Sequence, residues 1–119
     1  MIEISYHNVM NALNKSIHMT LLSPTQCETD RLFRRAKDLW YIKGFSLVKS
    51  SERSIEYGPD NDKILIRFKE LNSFSNGSWR GFRGIFLFHP DINPKSILES
   101  RELKAMDNHN ERYMDQWRA

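Results

Sequence analysis

The sequence predicts an α/β fold: a single small domain with a mixed sheet that has central parallel strands and a hairpin, flanked by helices. Segments with helical spacing alternate along the chain with short apolar segments, which is typical of sheets with parallel strands. In addition, residues 85–88 are four consecutive apolar residues bounded by Gly84 and Pro90. Such a run is typical of a strand that is buried on both faces.

Length and composition indicate one globular domain. The chain has 119 residues, of which 39% are hydrophobic and 28% charged, and this balance excludes a disordered chain. The net charge of +3 permits an anionic partner without requiring one. We expect residues 1–106 to form the domain and residues 107–119 to be a tail or one extra helical turn.

The first predicted helix covers residues 5–15, where apolar residues recur at intervals of three and four positions. Ser5 is its expected N-cap. Residues 17–22 are the first predicted strand, and Pro24 ends it because proline cannot donate a hydrogen bond to a sheet.

The second predicted helix has the clearest end signals. Thr25 and Glu28 match a capping box, and Gly44 stands where a C-terminal cap belongs, after a last helical residue near Lys43. The side away from its apolar stripe carries four cations, which are Arg31, Arg34, Arg35 and Lys37. This pattern is consistent both with a solvated face and with an anion-binding face.

Three further strands are predicted at residues 45–48, 54–58 and 63–68. The turn residues at 59–62 join the last two into a hairpin.

A third helix is predicted near the C-terminus, with Asn93 as its N-cap and Pro94 at its first position, and it reaches about Met106. Three apolar residues within 107–119 have helical spacing, so this segment either adds a helical turn or frays.

A loop before the strand at 85–88 is the main candidate for function. In it, Trp79, Arg80, Phe82 and Arg83 alternate with two glycines, at the start of what should be a central strand. Aromatic rings and guanidinium groups suit phosphates and unstacked bases, and they equally suit a protein interface. Alternatively, Trp79 and Phe82 belong to the core and the arginines reach into solvent.

Catalytic and membrane functions have little support in the sequence. Cys27 is the only cysteine, so no disulfide can form within the chain, and no base stands beside it in a known pattern. His89, Asp91 and His109 follow no catalytic or metal-binding spacing. No apolar run approaches the roughly 18 residues of a membrane span, and no signal peptide is recognisable. We therefore expect a cytoplasmic protein that is not an enzyme and has no cofactor, metal or membrane partner.

Two parts of the chain together resemble one family. Residues 21–25, followed by a helix containing residues 32–39, resemble the strand and helix that follow the nucleotide site in P-loop ATPases of the large-terminase and helicase type. The strand at 64–68, the Arg-Gly-rich stretch at 80–84 and the apolar strand at 85–88 then follow in the family's order. The resemblance spans about residues 5–92.

The chain departs from this family at both parts of the ATP site. The phosphate-binding Gly-x-x-x-x-Gly-Lys-Ser/Thr loop is absent. His89 and Pro90 stand where the family has two adjacent acids, and neither suits a magnesium ion, which prefers oxygen ligands.

The resemblance therefore implies a reduced, non-catalytic relative of a packaging motor, encoded by a phage and acting in the cytoplasm of its host. Such a protein would bind a protein or nucleic-acid partner through the loop at 79–83 and the cationic face of the second helix. Two alternatives stay open: an ATPase fragment that another chain completes, and an inhibitor of a host protein.

Overall fold

The computed structural model describes residues 1–39, 45–49, 53–57, 63–73, 78–94 and 96–119. Within them the chain forms, in order, α1 (Tyr6–Asn14), β1 (Met19–Ser23), α2 (Gln26–Leu39), β2 (Phe45–Lys49), β3 (Ser54–Tyr57), β4 (Ile64–Glu70), β5 (Ile85–Phe88), α3 (Ile97–Asn110) and α4 (Met114–Arg118). The predicted α/β class, with helices flanking a mixed sheet, is confirmed.

The five strands form one sheet in the order β2-β3-β4-β1-β5. β1 runs parallel to both β4 and β5, whereas β3 pairs antiparallel with β2 and with β4. The central parallel strands and the hairpin predicted from the sequence are therefore both present. The predicted turn at 59–62 and the predicted cap at Gly44 lie outside the described residues.

Helices lie on both faces of the sheet. Apolar residues of α1 and α2 pack on one face, which we call the first face, against side chains of β1, β3, β4 and β5. α3 and a 3₁₀ turn at Ser78–Gly81 pack on the opposite, second face, over β1 and β5. Because β1 is covered on both faces, all its residues are buried, whereas burial along β4 alternates.

β5 is the last strand in the sheet order, so the loop at 79–83 does not precede a central strand as the sequence suggested. Four buried residues nevertheless fit this position, because other parts of the chain cover its outer edge. The N–H of Ile4 donates to the Phe88 carbonyl, and the N–H of Phe88 donates to the Ile2 carbonyl, both at 2.9 Å. These bonds give β5 a short parallel partner.

Side chains from α3 complete the outer edge of β5. The amide of the buried Asn110 accepts a hydrogen bond from the Phe86 N–H at 2.7 Å and donates one to the Phe86 carbonyl at 2.9 Å. One side chain thus imitates a neighbouring strand. An edge strand with all its polar groups satisfied cannot recruit another chain by strand pairing.

A side-chain N-cap precedes the first residue of each of the three longer helices. The side chains of Ser5 and Thr25 each accept a hydrogen bond at 3.1 Å from the backbone N–H three residues later, as predicted. The third helix, in contrast, begins at Ile97 instead of the predicted Pro94. Ser96 is the true N-cap, since its hydroxyl accepts from the Glu99 N–H at 3.2 Å.

The C-terminal residues are helical and pack on the body. α3 continues past Met106 to Asn110, and a 3₁₀ turn then leads into α4. Met114 is buried, and the carbonyl of Trp117 accepts a hydrogen bond from the Asn11 side chain at 3.1 Å. This segment therefore joins α1 to the second-face helix α3.

Candidate anion-binding cleft

Trp79 belongs to the core and is not available to stack on a partner, contrary to its expected binding role. Its side chain is only 4% exposed, and its indole N–H donates to the Glu102 carboxylate in α3. Its ring meets the edges of Phe86 and His109 at centroid distances of 5.6 and 6.0 Å. An amphipathic ring buried with its N–H paired is a packing anchor.

The other three predicted loop residues lie at the surface. Arg80 and Arg83 are exposed and Phe82 is half-buried. Arg80 lies over the outer side of the Trp79 ring, with 5.6 Å between its guanidinium carbon and the ring centroid. The buried tryptophan thus supports a loop that presents two arginines.

Two cations of β4, which sequence reasoning missed, join this loop. The guanidinium carbon of Arg67 lies 4.4 Å from the centroid of the Phe82 ring, and the Lys69 ammonium lies 6.0 Å from it. A signal was present in the sequence. Burial alternates along β4, with Ile64, Ile66 and Phe68 on the first face, so the residues between them must face the other way.

A cleft with a volume of about 320 Å³ opens between the loop and the amino ends of the parallel strands. The residues that line it are His18, Met19, Leu65, Arg67, Gly81 and Arg83. None of these is acidic. Within the part of the chain that the structure describes, neither Arg67 nor Arg83 forms an ion pair with a carboxylate. The cleft therefore carries a positive charge that the described residues leave unneutralised.

His18 stands just before β1, on the floor of this cleft. The N–H of Leu65 donates to its Nδ1 atom at 2.9 Å, so Nδ1 carries no proton in this arrangement. A neutral His18 therefore has its proton on Nε2 and can offer it to a ligand. The backbone carbonyl of His18 accepts from the Ile85 N–H at 3.0 Å, which fixes this residue between two strands.

Gly84 joins the loop to β5 and fixes its position. Its φ is +94°, and a Cβ atom there would lie 1.9 Å from the His18 carbonyl oxygen. Its N–H donates to the Tyr113 hydroxyl, and its carbonyl contacts His109 Nε2, each at 3.1 Å. Only glycine permits this backbone conformation and this close approach.

His109 links α3 to Gly84 as a neutral donor. Burial lowers the pKa of His109 below its ordinary value, and the nearby Arg112 lowers it further, while the hydrogen bond with the Gly84 carbonyl acts in the opposite direction. Because a carbonyl only accepts, Nε2 must carry the proton. His109 therefore positions the loop, and it does not join the cleft lining.

The cationic residues of α2 lie on the other side of the sheet from the cleft. Phe33 and Ala36 of this helix pack in the first-face cluster, whereas Trp79 and Phe82 belong to the second-face cluster. Arg31, Arg34, Arg35 and Lys37 are exposed, and the Arg31 guanidinium pairs with Glu28 at 3.0 Å. The two predicted binding surfaces are therefore not one surface.

The carboxyl ends of the parallel strands, where α/β proteins usually bind ligands, hold a smaller cleft of about 210 Å³. Asp91, Asn72 and Thr25 are among its lining residues. The side chain of His89 accepts a hydrogen bond from the Asp91 N–H at 3.0 Å, which turns the chain away from β5. The described residues contain no cluster of three or more His, Cys, Asp or Glu suited to a metal ion.

In the described ranges, no helix is long and apolar enough to cross a membrane. Comparison with known protein families, with curated proteins and with solved structures found no match for this chain.

Proposed function

We propose that the protein is a non-catalytic binding module that holds a strand of nucleic acid in the cleft between the loop and β4. The observation that carries this proposal is the set of exposed or half-exposed cations around one aromatic ring: Arg67 and Lys69 beside Phe82, with Arg83 on the cleft wall. Phosphates bind to such cations, and the ring supplies an apolar surface for a base or sugar.

A nucleic acid suits this site better than a protein does. Among the described residues, the cleft lining contains two arginines and a histidine but no acidic residue, and this composition favours an anionic partner. A volume of about 320 Å³ accommodates one nucleotide unit and is too small for a duplex. We therefore propose a single strand as the partner. Descent from terminase-type ATPases and a phage origin are consistent with a nucleic-acid partner, and they remain part of this proposal.

The direct test compares two double variants that remove the same charge from opposite faces of the sheet. We expect Arg67→Ala with Arg83→Ala to weaken the binding of a fluorescent single-stranded oligonucleotide about tenfold or more, measured by anisotropy at low salt. Arg34→Ala with Arg35→Ala, on α2, is the matched control and should change affinity less than about threefold. Melting temperatures of both variants check that the fold is intact.

Three outcomes would contradict the proposal. Equal losses in both double variants would indicate attraction by overall charge instead of a site. Tight capture of an acidic peptide with no oligonucleotide binding would indicate a protein partner. Hydrolysis of ATP with Mg²⁺ by the purified chain, lost in Asp91→Ala, would indicate an enzyme that uses the carboxyl-end cleft.

A further inference from the structure

We infer that the floor of this cleft is a pocket for a terminal phosphate, so that the ligand is a phosphomonoester at the end of a strand. This inference rests on the proposed function and names the part of the nucleic acid that enters the cleft. Three donors carry it: the guanidinium groups of Arg67 and Arg83 and the Nε2–H of His18, all on residues that line one cavity.

The hydrogen bonding of His18 leaves its Nε2–H group as the donor that a ligand can use. Its Nδ1 atom already accepts the hydrogen bond from the Leu65 N–H, which fixes both the tautomer and the ring orientation. A bond to the backbone of β4 also means that the ring does not need to reorganise when a ligand arrives. A preorganised N–H donor on a cavity wall suits an anion and disfavours a cation.

The charge of the cavity favours a terminal phosphate over an internal one. A phosphomonoester carries about 1.5 to 2 negative charges at pH 7 and exposes three acceptor oxygens, whereas an internal phosphodiester carries one charge and exposes two. The lining residues that the structure describes offer two permanent cations and the histidine donor, and none of them carries a carboxylate. A dianion with three acceptor oxygens therefore matches two cations and one further donor more closely than a monoanion with two such oxygens does.

The test uses the full chain and four probes in isothermal titration at fixed salt. The probes are one single-stranded oligonucleotide with a 5′-phosphate, the same with a 3′-phosphate, the same with hydroxyls at both ends, and adenosine monophosphate. We expect at least one phosphorylated end to bind about tenfold tighter than the hydroxyl form. Adenosine monophosphate should compete with it.

The key variant is His18→Asn. Its amide oxygen can still accept the hydrogen bond from the Leu65 N–H, while the donor at the Nε2 position is lost. The variant therefore removes the contact with the ligand and keeps the hydrogen bond that supports the fold. We expect this variant to keep its melting temperature while losing most of the preference for the phosphorylated end over the hydroxyl-ended oligonucleotide. His18→Ala serves as a second variant if the asparagine restores the donor through another rotamer.

The outcomes distinguish this inference from the proposed function. Equal affinity for all three oligonucleotides would overturn the terminal-phosphate pocket and leave the nucleic-acid function standing. Binding of adenosine monophosphate without binding of any oligonucleotide would support the pocket and overturn the nucleic-acid function. A phosphate preference that survives in both His18 variants would also overturn the pocket, and no binding of any probe would overturn both.

Discussion

The single residue on which the cleft most depends is Gly84. It occupies the left-handed region with φ +94°, directly against the His18 carbonyl. Its two backbone polar groups bond to Tyr113 and His109, so both its conformation and its contacts are fixed. Gly84 therefore contacts the floor of the cleft through His18 and the C-terminal segment through Tyr113 and His109, and these contacts fix the end of the loop.

We expect Gly84→Ala to lower the free energy of unfolding by about 2–4 kcal/mol, because an added methyl group would overlap the His18 carbonyl and strain the backbone. Urea denaturation followed by tryptophan fluorescence measures this. Gly81→Ala is the matched control, since nothing lies within 4 Å of its Cβ position, and it should change stability by less than about 1 kcal/mol. Similar stabilities of the two variants would contradict the role assigned to Gly84.

A second prediction at this scale concerns the buried amide of Asn110. Asn110→Ala should cost about 2–4 kcal/mol, because both the N–H and the carbonyl of Phe86 would lose their partner in a place without solvent. The exposed Asn108 lies on the same helix, and Asn108→Ala should have an effect below about 0.5 kcal/mol. Chemical denaturation of both variants compares them, and equal stabilities would show that the edge of β5 does not need this side chain.

At the scale of elements, the sequence predicted each strand and helix better than it predicted what each one faces. The apolar run at 85–88 required a buried strand, and that strand exists. Its place at the edge of the sheet was not predictable locally, because Asn110, Ile2 and Ile4 supply the missing neighbour from distant parts of the chain.

The predicted start of α3 was wrong for a related reason. Asn93 followed by Pro94 is a good helix start by composition, but so is Ser96, and only packing decides between two nearby caps. The structure places the cap at Ser96. Local propensities of this size are easily overridden by tertiary contacts.

The candidate site was half predictable. Phe82 and Arg83 were found from their residue types: Arg83 lines the cleft, and Phe82 packs against Arg67, which also lines it. Trp79 was assigned to binding because tryptophan and arginine are common in binding sites, but residue type does not say which ring faces inward. Arg67 was missed although the alternation along β4 places it on the second face, because only the topology shows that the loop covers this strand.

The contact between α3 and the loop has a pH dependence that follows from His109. Burial lowers its pKa in the folded state, so the unfolded chain takes up a proton first as the pH falls. The folded state therefore loses stability as the pH decreases through the unfolded value of about 6.5, and the loss stops below the folded-state pKa.

We expect the free energy of unfolding of the unmodified protein to fall more steeply between about pH 7.5 and 5 than that of His109→Gln, whose amide can still donate to the Gly84 carbonyl. His7→Gln, at an exposed position of α1, controls for the loss of a histidine elsewhere. Parallel stability curves for the unmodified protein and His109→Gln would contradict this assignment.

At the scale of the whole molecule, the sheet separates the two candidate cationic surfaces. One lies on the exposed side of α2 and the other surrounds the cleft on the second face. The net charge of the chain is only +3, so long-range attraction of a polyanion is modest and affinity has to come from local contacts. This small net charge explains why composition alone neither required nor excluded a nucleic-acid partner.

The dependence of affinity on salt measures how many cations take part. A single strand that contacts the four cations of β4 and the loop, Arg67, Lys69, Arg80 and Arg83, should release counterions, so that the logarithm of the association constant falls with the logarithm of the salt concentration at a slope of about −3. Removing Arg67 and Arg83 together should reduce this slope to about −1.5, whereas removing Arg34 and Arg35 should leave it near about −3. Anisotropy titrations from low to moderate salt give all three slopes. An unchanged slope in the first variant would mean that the phosphates lie elsewhere, and a slope near zero in the unmodified protein would mean that the partner is not a polyanion.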